Sequence, residues 1–229
     1  MPGRGRGARG RRRTRNASHG AEDSQQQQPK RQRVSFDNNE DNVDRDIWFL
    51  GDSLPYWAGV RAQFRNTPNL SLPDGHSIAW WGIRGLGWED FIHCVQLPVV
   101  FRTPPKVVFF HLGGNDLTKH SLRFIFKMVQ ESIQYITSAF PDSEFVWVDI
   151  LQRIDWGVGN DEKRLIEKKR KRVNQFGRKI IRLTKNHHCI RFDIDESTPG
   201  FFRSDGVHLS DVGLDMYIDT IRETLLKIL

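Results

Sequence analysis

The 229-residue sequence has little of what several protein classes require. It has two cysteines, Cys94 and Cys189, which are too few for a disulfide framework. No stretch approaches the roughly 18 uninterrupted apolar residues of a membrane span. The N-terminal segment is rich in Arg, Gly and Gln and lacks the apolar core of a secretory signal, so we expect an intracellular protein in a reducing compartment. These shortages exclude disulfide miniproteins, membrane channels and collagen-like chains.

Positive charge is concentrated near the N-terminus. The chain carries a net charge of +7, yet residues 1–33 alone hold ten Lys and Arg against two acidic residues. Residues 1–45 show no apolar periodicity and cannot bury enough apolar surface to offset the entropy of ordering, so we predict a disordered basic tail there. The basic run at 29–34 resembles a nuclear-import signal and favours a nuclear or cytoplasmic protein.

Two basic segments are candidates for binding RNA or DNA, because guanidinium groups pair with phosphates and stack on bases. One is residues 1–33. The other is residues 161–185, where eleven Lys and Arg, three acids and an apolar stripe indicate a helix with a basic face. The candidate contacts are Arg11, Arg12, Arg13, Lys30, Arg31, Arg33, Lys168, Lys169, Arg170, Lys171 and Arg172. The alternatives are a solubilising tail and a solvated helix face.

Short apolar runs from residue 46 onward predict strands buried on both faces, because the runs are nearly continuous rather than alternating. The runs are 46–50, 76–81, 106–112, 144–150 and 189–194. Helical patterns lie between or after them at 121–139, 161–185 and 210–228. This alternation predicts an α/β fold with a parallel sheet covered by helices on both faces. We therefore divide the chain into a tail, 1–45, and one domain, 46–229.

Polar and glycine-rich sites follow the predicted strands, where parallel α/β sheets bind their ligands. Ser53 follows the first strand, Gly85 the second and Asn115 the third, and Asp205 and His208 precede the last helix. These residue types suit acyl transfer. A serine hydroxyl needs an adjacent base, which His208 supplies, and Asp205 orients the imidazole. The backbone N–H groups of Ser53 and Gly85 and the Asn115 amide are candidate oxyanion-hole donors.

Three of these blocks resemble the SGNH (GDSL) hydrolase superfamily in sequence and in order. They read Gly51-Asp52-Ser53-Leu54, Gly113-Gly114-Asn115-Asp116 and Asp205-Gly206-Val207-His208. The resemblance spans about 46–229 and implies a three-layer α/β/α sandwich with a five-stranded, flavodoxin-like parallel sheet. It also implies metal-free ester hydrolysis without a cofactor. Ser53 would be the nucleophile, His208 the base, Asp205 the acid of the triad, and Ser53, Gly85 and Asn115 the oxyanion hole.

The second block departs from the family pattern. The family often has Asn beside the first glycine, and Trp81 occupies that place here. The donor is therefore Gly82 or Gly85, and we favour Gly85 because it ends the Gly-x-x-Gly pattern. The Trp-rich block, 80–88, is similar to that of esterase-like domains carried by fish and amphibian retroelements.

Each candidate also has a purely structural explanation. Ser53 is a favoured helix N-cap, Asn115 a favoured turn residue, and Asp205-x-x-His208 a common surface turn. Asp116 suits the cap of the next helix. Five tryptophans fall near the predicted crevice and either line it or pack in the core: Trp57, Trp80, Trp81, Trp88 and Trp156. The run 187–189 lacks a fourth ligand at a zinc-like spacing, so we expect no metal site.

The sequence thus supports two functional hypotheses, one for an enzyme and one for a binding module. The first is a serine ester hydrolase that forms an acyl-enzyme on an ester with a small, acetyl-like acyl group. The alternative is a catalytically weak or silent module of the same fold that binds nucleic acid through 1–33 and 161–185. The partners expected are an ester substrate in the first case and RNA or DNA in the second, and the sequence does not indicate an oligomeric state.

Overall fold

The computed structural model describes residues 44–194 and 196–229, which form alternating strands and helices. The elements are β1 (Ile47–Gly51), α1 (Ser53–Phe64), a 3₁₀ turn (Pro73–Gly75), β2 (Ile78–Gly82), α2 (Trp88–Phe101), β3 (Val107–His111), α3 (Leu122–Ala139), β4 (Glu144–Val148), α4 (Asn160–Ile181), β5 (His187–Ile190) and α5 (Asp211–Ile228). No helix in this described part is long and apolar enough to cross a membrane.

The five strands form one parallel sheet in the order β2-β1-β3-β4-β5. Gly51, at the end of β1, pairs in register with Gly82 at the end of β2 and with His111 at the end of β3. The three segments that follow these strands therefore start side by side, at the carboxyl ends of the parallel strands. The strand order reverses between β1 and β3, and ligands bind at such switch points in doubly wound sheets.

Side chains of the buried strands alternate between two apolar layers. Trp48 and Leu50 point to one face, in a cluster with residues of α2, α3 and α4. Ile47 and Phe49 point to the other, with residues of α1 and α5. Burial at about 25 cal/mol per Å² of apolar surface makes these two layers the main source of stability. The predicted three-layer α/β/α sandwich with a five-stranded parallel sheet is confirmed.

Individual elements deviate modestly from the predictions. The last strand was predicted at 189–194 and is observed at His187–Ile190. The helix α2 was not predicted, because Pro98 interrupts its last turns and its apolar residues do not form one clean stripe. The helices predicted at 121–139, 161–185 and 210–228 are observed at Leu122–Ala139, Asn160–Ile181 and Asp211–Ile228.

Candidate active site

Ser53 is the first residue of α1, directly after β1. The N-cap is Asp52, whose Oδ1 accepts a hydrogen bond of 3.1 Å from the Leu54 N–H. The alternative in which Ser53 caps the helix is therefore wrong, because the neighbouring carboxylate takes that role. Ser53 is 7% exposed, and its hydroxyl forms no hydrogen bond with another residue of the described chain. Within the described residues, the Ser53 hydroxyl therefore has no structural hydrogen bond to hold it at the carboxyl end of β1.

Asp205 and His208 form a hydrogen-bonded pair in the loop before α5. His208 Nδ1 lies 2.7 Å from Asp205 Oδ2, and Asp205 Oδ1 accepts 2.9 Å bonds from the N–H groups of Val207 and His208. Partial burial raises the pKa of Asp205, but these bonds outweigh it and lower that pKa to about 2. An ionised Asp205 holds the proton on Nδ1 and leaves Nε2 as the acceptor.

His208 lies beside the first turns of α1. Its ring contacts Trp57 edge to face, with the ring centroids 6.4 Å apart. Trp57 is four residues after Ser53, so the two side chains project from one face of the helix. His208 is also close enough to Asp52 to lower the pKa of that carboxyl electrostatically. The fold therefore brings the Asp205–His208 pair to the helix turn that carries Ser53.

Gly85 and Asn115 come together although 30 residues separate them. Asn115 Nδ2 donates a 3.0 Å hydrogen bond to the carbonyl of Leu86, which directly follows Gly85. Gly85 has φ +80°, and a Cβ there would meet nothing within 4 Å. By contrast, a Cβ at Gly82 would lie 2.1 Å from the Tyr56 backbone nitrogen. Gly82 therefore packs closely against α1, whereas Gly85 lies at an open position with a positive φ.

Asp116 caps a different helix from the one predicted. Its carboxylate accepts bonds of 3.1 and 3.3 Å from the Trp88 N–H at the start of α2, whereas Ser121 caps α3. Burial raises the pKa of Asp116 to about 7, against the lowering effect of the Trp88 N–H. Asp116 therefore ties the third block to the second, and this bond fixes the relative positions of Asn115 and Gly85.

Arg153, in the loop after β4, is a site residue that the sequence reasoning missed. Its Nη2 lies 3.4 Å from Asn115 Oδ1, and its guanidinium lies 4.9 Å from the Trp156 ring centroid. A Cβ at Gly114 would lie 2.5 Å from Nη2, so the guanidinium covers the third block. Burial lowers the pKa of Arg153, and Asp52 and Asp205 oppose this lowering. No local motif marks this position in the sequence.

Beneath the crevice lies a buried polar cluster. Asp52 is 3% exposed, and its burial raises its pKa, while the nearby Arg153 cation has the opposite effect. His111 is fully buried, its Nδ1 lies 2.5 Å from the Tyr217 hydroxyl, and burial lowers its pKa to about 3. His111 is therefore a buried core residue whose ring has a polar partner. Asp52, His111 and Arg153 line one small pocket together with Leu54 and Gly114.

The five tryptophans differ in their positions. Trp81 and Trp88 are core residues, and Trp80 stacks on Phe49. Trp156 is 7% exposed and donates to Glu167. Only Trp57 among the five contacts His208 in the part of the chain that the structure describes.

The basic residues of the predicted helix 161–185 fall into two groups. Lys169 donates to the carbonyls of Leu117 and His120, and Arg170 pairs with Glu167 at 2.8 Å, so both serve the fold. Lys168, Lys171 and Arg172 are exposed on α4. The other candidate contacts, Arg11, Arg12, Arg13, Lys30, Arg31 and Arg33, lie outside the described residues, as does the predicted tail up to residue 43.

Metal ligands do not cluster in residues 44–194 and 196–229, where no group of three or more His, Cys, Asp or Glu side chains is placed to hold an ion. In the run 187–189, His188 Nε2 lies 3.0 Å from Glu144. Cys94 is buried and Cys189 half-buried, and neither forms a disulfide within the described residues. Burial raises the pKa of Cys94 to about 11, which makes it a poor nucleophile.

The chain is similar in fold to several solved structures, but its sequence identity to them is low. No family model and no curated protein matches the chain. Among solved structures, a protein of Streptococcus pneumonia named provisionally as a platelet activating factor has TM-score 0.65 and 18% identity, over 82% of this chain and 87% of that one. A provisionally named acylhydrolase of Bacteroides fragilis has TM-score 0.61 and 16% identity, over 82% and 89%.

A GDSL-like lipase of Bacteroides thetaiotaomicron is similar at TM-score 0.57 and 16% identity, over 80% of this chain and 88% of that one. At such low identities the comparison establishes a shared fold. The predicted resemblance to GDSL-type hydrolases is thereby confirmed at the level of architecture, because the described part of the chain has a fold similar to that of a solved GDSL-like lipase.

Proposed function

We propose that this chain is a serine ester hydrolase that works through an acyl-enzyme. The observation that carries the proposal is the 2.7 Å Asp205–His208 hydrogen bond, supported by the contact of the His208 ring with Trp57, which lies one turn after Ser53 on α1. A hydroxyl, an imidazole and a carboxylate in this relationship form the arrangement that activates serine in unrelated folds. The likeness to solved structures described as acylhydrolase, lipase and esterase supports the same class.

In the first half of the reaction, Ser53 Oγ attacks the ester carbonyl carbon while its proton passes to His208 Nε2. The ionised Asp205 stabilises the imidazolium that forms. The carbonyl oxygen becomes an oxyanion, for which the Ser53 and Gly85 N–H groups and Asn115 Nδ2 are the proposed donors. The bond to the alcohol oxygen then breaks, and His208 returns the proton to the departing alcohol.

In the second half, water attacks the acyl carbon of the Ser53 ester. His208 Nε2 accepts the proton of the water, and the same donors stabilise the new oxyanion. The bond between the acyl carbon and Ser53 Oγ then breaks. The free acid leaves, and Ser53 Oγ regains the proton from His208. A small, acetyl-like acyl group is our proposal for the substrate, by analogy with a solved acetyl esterase of similar fold.

The direct test is hydrolysis of 4-nitrophenyl acetate by the full chain and by Ser53→Ala. We expect turnover in the wild type and its loss in Ser53→Ala, with Ser138→Ala, at an exposed position of α3, as the matched control. Equal turnover in wild type and Ser53→Ala would assign the hydrolysis to another group. Absence of turnover in a folded wild type would favour the second candidate.

The second candidate is nucleic-acid binding through 1–33 and 161–185. One observation favours it: an open groove along the C-terminal half of α4 is lined by basic residues, with Lys171, Lys179 and Arg182 among them and Arg191 beside β5. Phosphate backbones suit such a groove. This activity does not compete with ester hydrolysis. The last residues of α4 lie near the amino-terminal ends of the parallel strands, whereas Ser53 follows the carboxyl end of β1.

A further inference from the structure

A cationic collar surrounds one side of the candidate active site. We use this term for Arg84, Trp57 and Arg203. The Arg203 guanidinium carbon lies 4.4 Å from the Trp57 ring centroid, and that of Arg84 lies 5.6 Å from it. Arg84 precedes the proposed donor Gly85, and Arg203 lies in the loop that carries His208. Three separate chain segments thus place two positive charges on one indole.

Neither arginine of the collar has an anionic partner in the part of the chain that the structure describes. Within the described residues, the guanidinium groups of Arg84 and Arg203 form no ion pair and no hydrogen bond. Other arginines of the domain behave differently: Arg61 pairs with Asp211 and Asp215, for example. Cation–π contact holds a guanidinium in place but leaves its N–H donors unused. Two such groups beside a reactive centre are preorganised for an anion.

Two acidic side chains of the neighbouring loops, Asp205 and Asp155, have partners other than the collar. Asp205 already accepts bonds from the His208 ring and from two backbone N–H groups. Asp155, which packs near Gly206, accepts from the Gly157 N–H. Neither carboxylate forms an ion pair with Arg84 or Arg203 among the described residues.

The collar lies on the side of the site where the alcohol leaves. His208 must deliver its proton to the departing oxygen, so groups next to its ring face the alcohol portion of the ester. Trp57 contacts that ring, and the Arg203 N–H donates a 2.8 Å hydrogen bond to the His208 carbonyl. A charged group on the alcohol is therefore the part of a substrate that the collar can reach.

We infer that the cationic collar is an anion subsite, and that the substrate is an ester whose alcohol portion carries a carboxylate or phosphate group. Arg84 and Arg203 supply charge-assisted hydrogen bonds to the anion, and Trp57 supplies an apolar face for the part of the alcohol between the anion and the ester. This inference rests on the proposed hydrolase function and specifies its substrate class.

The test compares 4-acetoxybenzoate, whose alcohol portion carries a carboxylate, with its neutral methyl ester. The measured quantity is the ratio of the two kcat/KM values. We expect the full chain to prefer the anionic ester by about tenfold, a typical effect of charge-assisted hydrogen bonds. Arg203→Gln and Arg84→Gln each lower the ratio. The matched control is Arg65→Gln, the same change at the far end of α1, and it keeps the wild-type ratio.

The possible results distinguish a failure of the anion subsite from a failure of the proposed hydrolase function. Hydrolysis of both esters without preference, or a preference unchanged in Arg203→Gln and Arg84→Gln, would overturn the subsite and leave the hydrolase standing. If neither ester is hydrolysed, binding of 4-acetoxybenzoate to Ser53→Ala is measured by calorimetry. Binding that Arg203→Gln weakens would support the subsite, and absence of binding would overturn it.

Discussion

The guanidinium of Arg153 covers Gly114 so closely that a Cβ at Gly114 would lie 2.5 Å from Arg153 Nη2. The same guanidinium reaches Asn115 and is drawn toward Asp52, so it links the end of β1 to the third block. The second glycine of Gly-Gly-Asn-Asp thus makes room for a cation that comes from a loop 39 residues later in the chain.

This relationship predicts the effect of Gly114→Ala. The added methyl group must displace Arg153, so we expect a loss of about 1–3 kcal/mol in the free energy of unfolding and a lower kcat/KM for 4-nitrophenyl acetate. Denaturant titration and steady-state kinetics measure the two effects. Gly159→Ala is the control, because a Cβ there meets nothing within 4 Å and φ is −66°. Equal behaviour of the two variants would contradict the account.

A double-mutant cycle tests whether Arg153 compensates the buried carboxylate of Asp52. Arg153→Met leaves that carboxylate without its cation, so we expect it to destabilise the protein by about 2–4 kcal/mol at pH 8. Asp52→Asn keeps an oxygen that can accept from the Leu54 N–H and removes the charge. The double variant should be more stable than the sum of the single effects by about 1–3 kcal/mol. Strict additivity would show that the two groups are independent.

Asp116 predicts a pH dependence of stability. Its folded-state pKa is about 7 and its ordinary value is 3.8, so between these values the folded protein holds a proton that the unfolded chain has released. Its contribution to stability therefore falls as the pH rises from about 4 to 7 and is lowest above 7. Asp116→Asn removes this loss, and we expect its stability relative to the wild type to improve by about 2 kcal/mol between pH 5 and pH 8. A stability difference that is constant with pH would contradict this expectation.

The groove on α4 predicts salt-dependent binding of a single-stranded oligonucleotide. Replacing Lys171, Lys179 and Arg182 with Gln should weaken binding by the full chain and reduce the slope of log K against log salt by about 2, since each lost phosphate contact removes about 0.7. Fluorescence anisotropy at several salt concentrations measures both. An unchanged slope would exclude α4 from the interface and leave only the N-terminal segment as a candidate.

Most of the fold could be predicted from the sequence because the strands are short, nearly continuous apolar runs. The candidate site was predictable where its residues stand in local motifs directly after strands, as Ser53 and Asn115 do. The site features that were missed depend on contacts between distant segments, whereas α2 was missed because its own sequence lacks a clear helical pattern. Asp116 caps α2 across 28 residues, and Arg153 reaches the third block from the loop after β4. Lys169 and Arg170 belong to a basic run that is typical of an exposed surface. In the structure, however, Lys169 donates to the Leu117 carbonyl and Arg170 pairs with Glu167.

The central claim is that Ser53 is a nucleophile activated by His208, and covalent labelling tests it most directly. The full chain is treated with a fluorophosphonate, which reacts with activated serine hydroxyls, and the product is identified by intact mass and peptide mapping. We predict one label per chain, located on Ser53, absent in Ser53→Ala and formed much more slowly in His208→Ala. A folded protein that takes no label, or a label that persists in Ser53→Ala, would contradict the account.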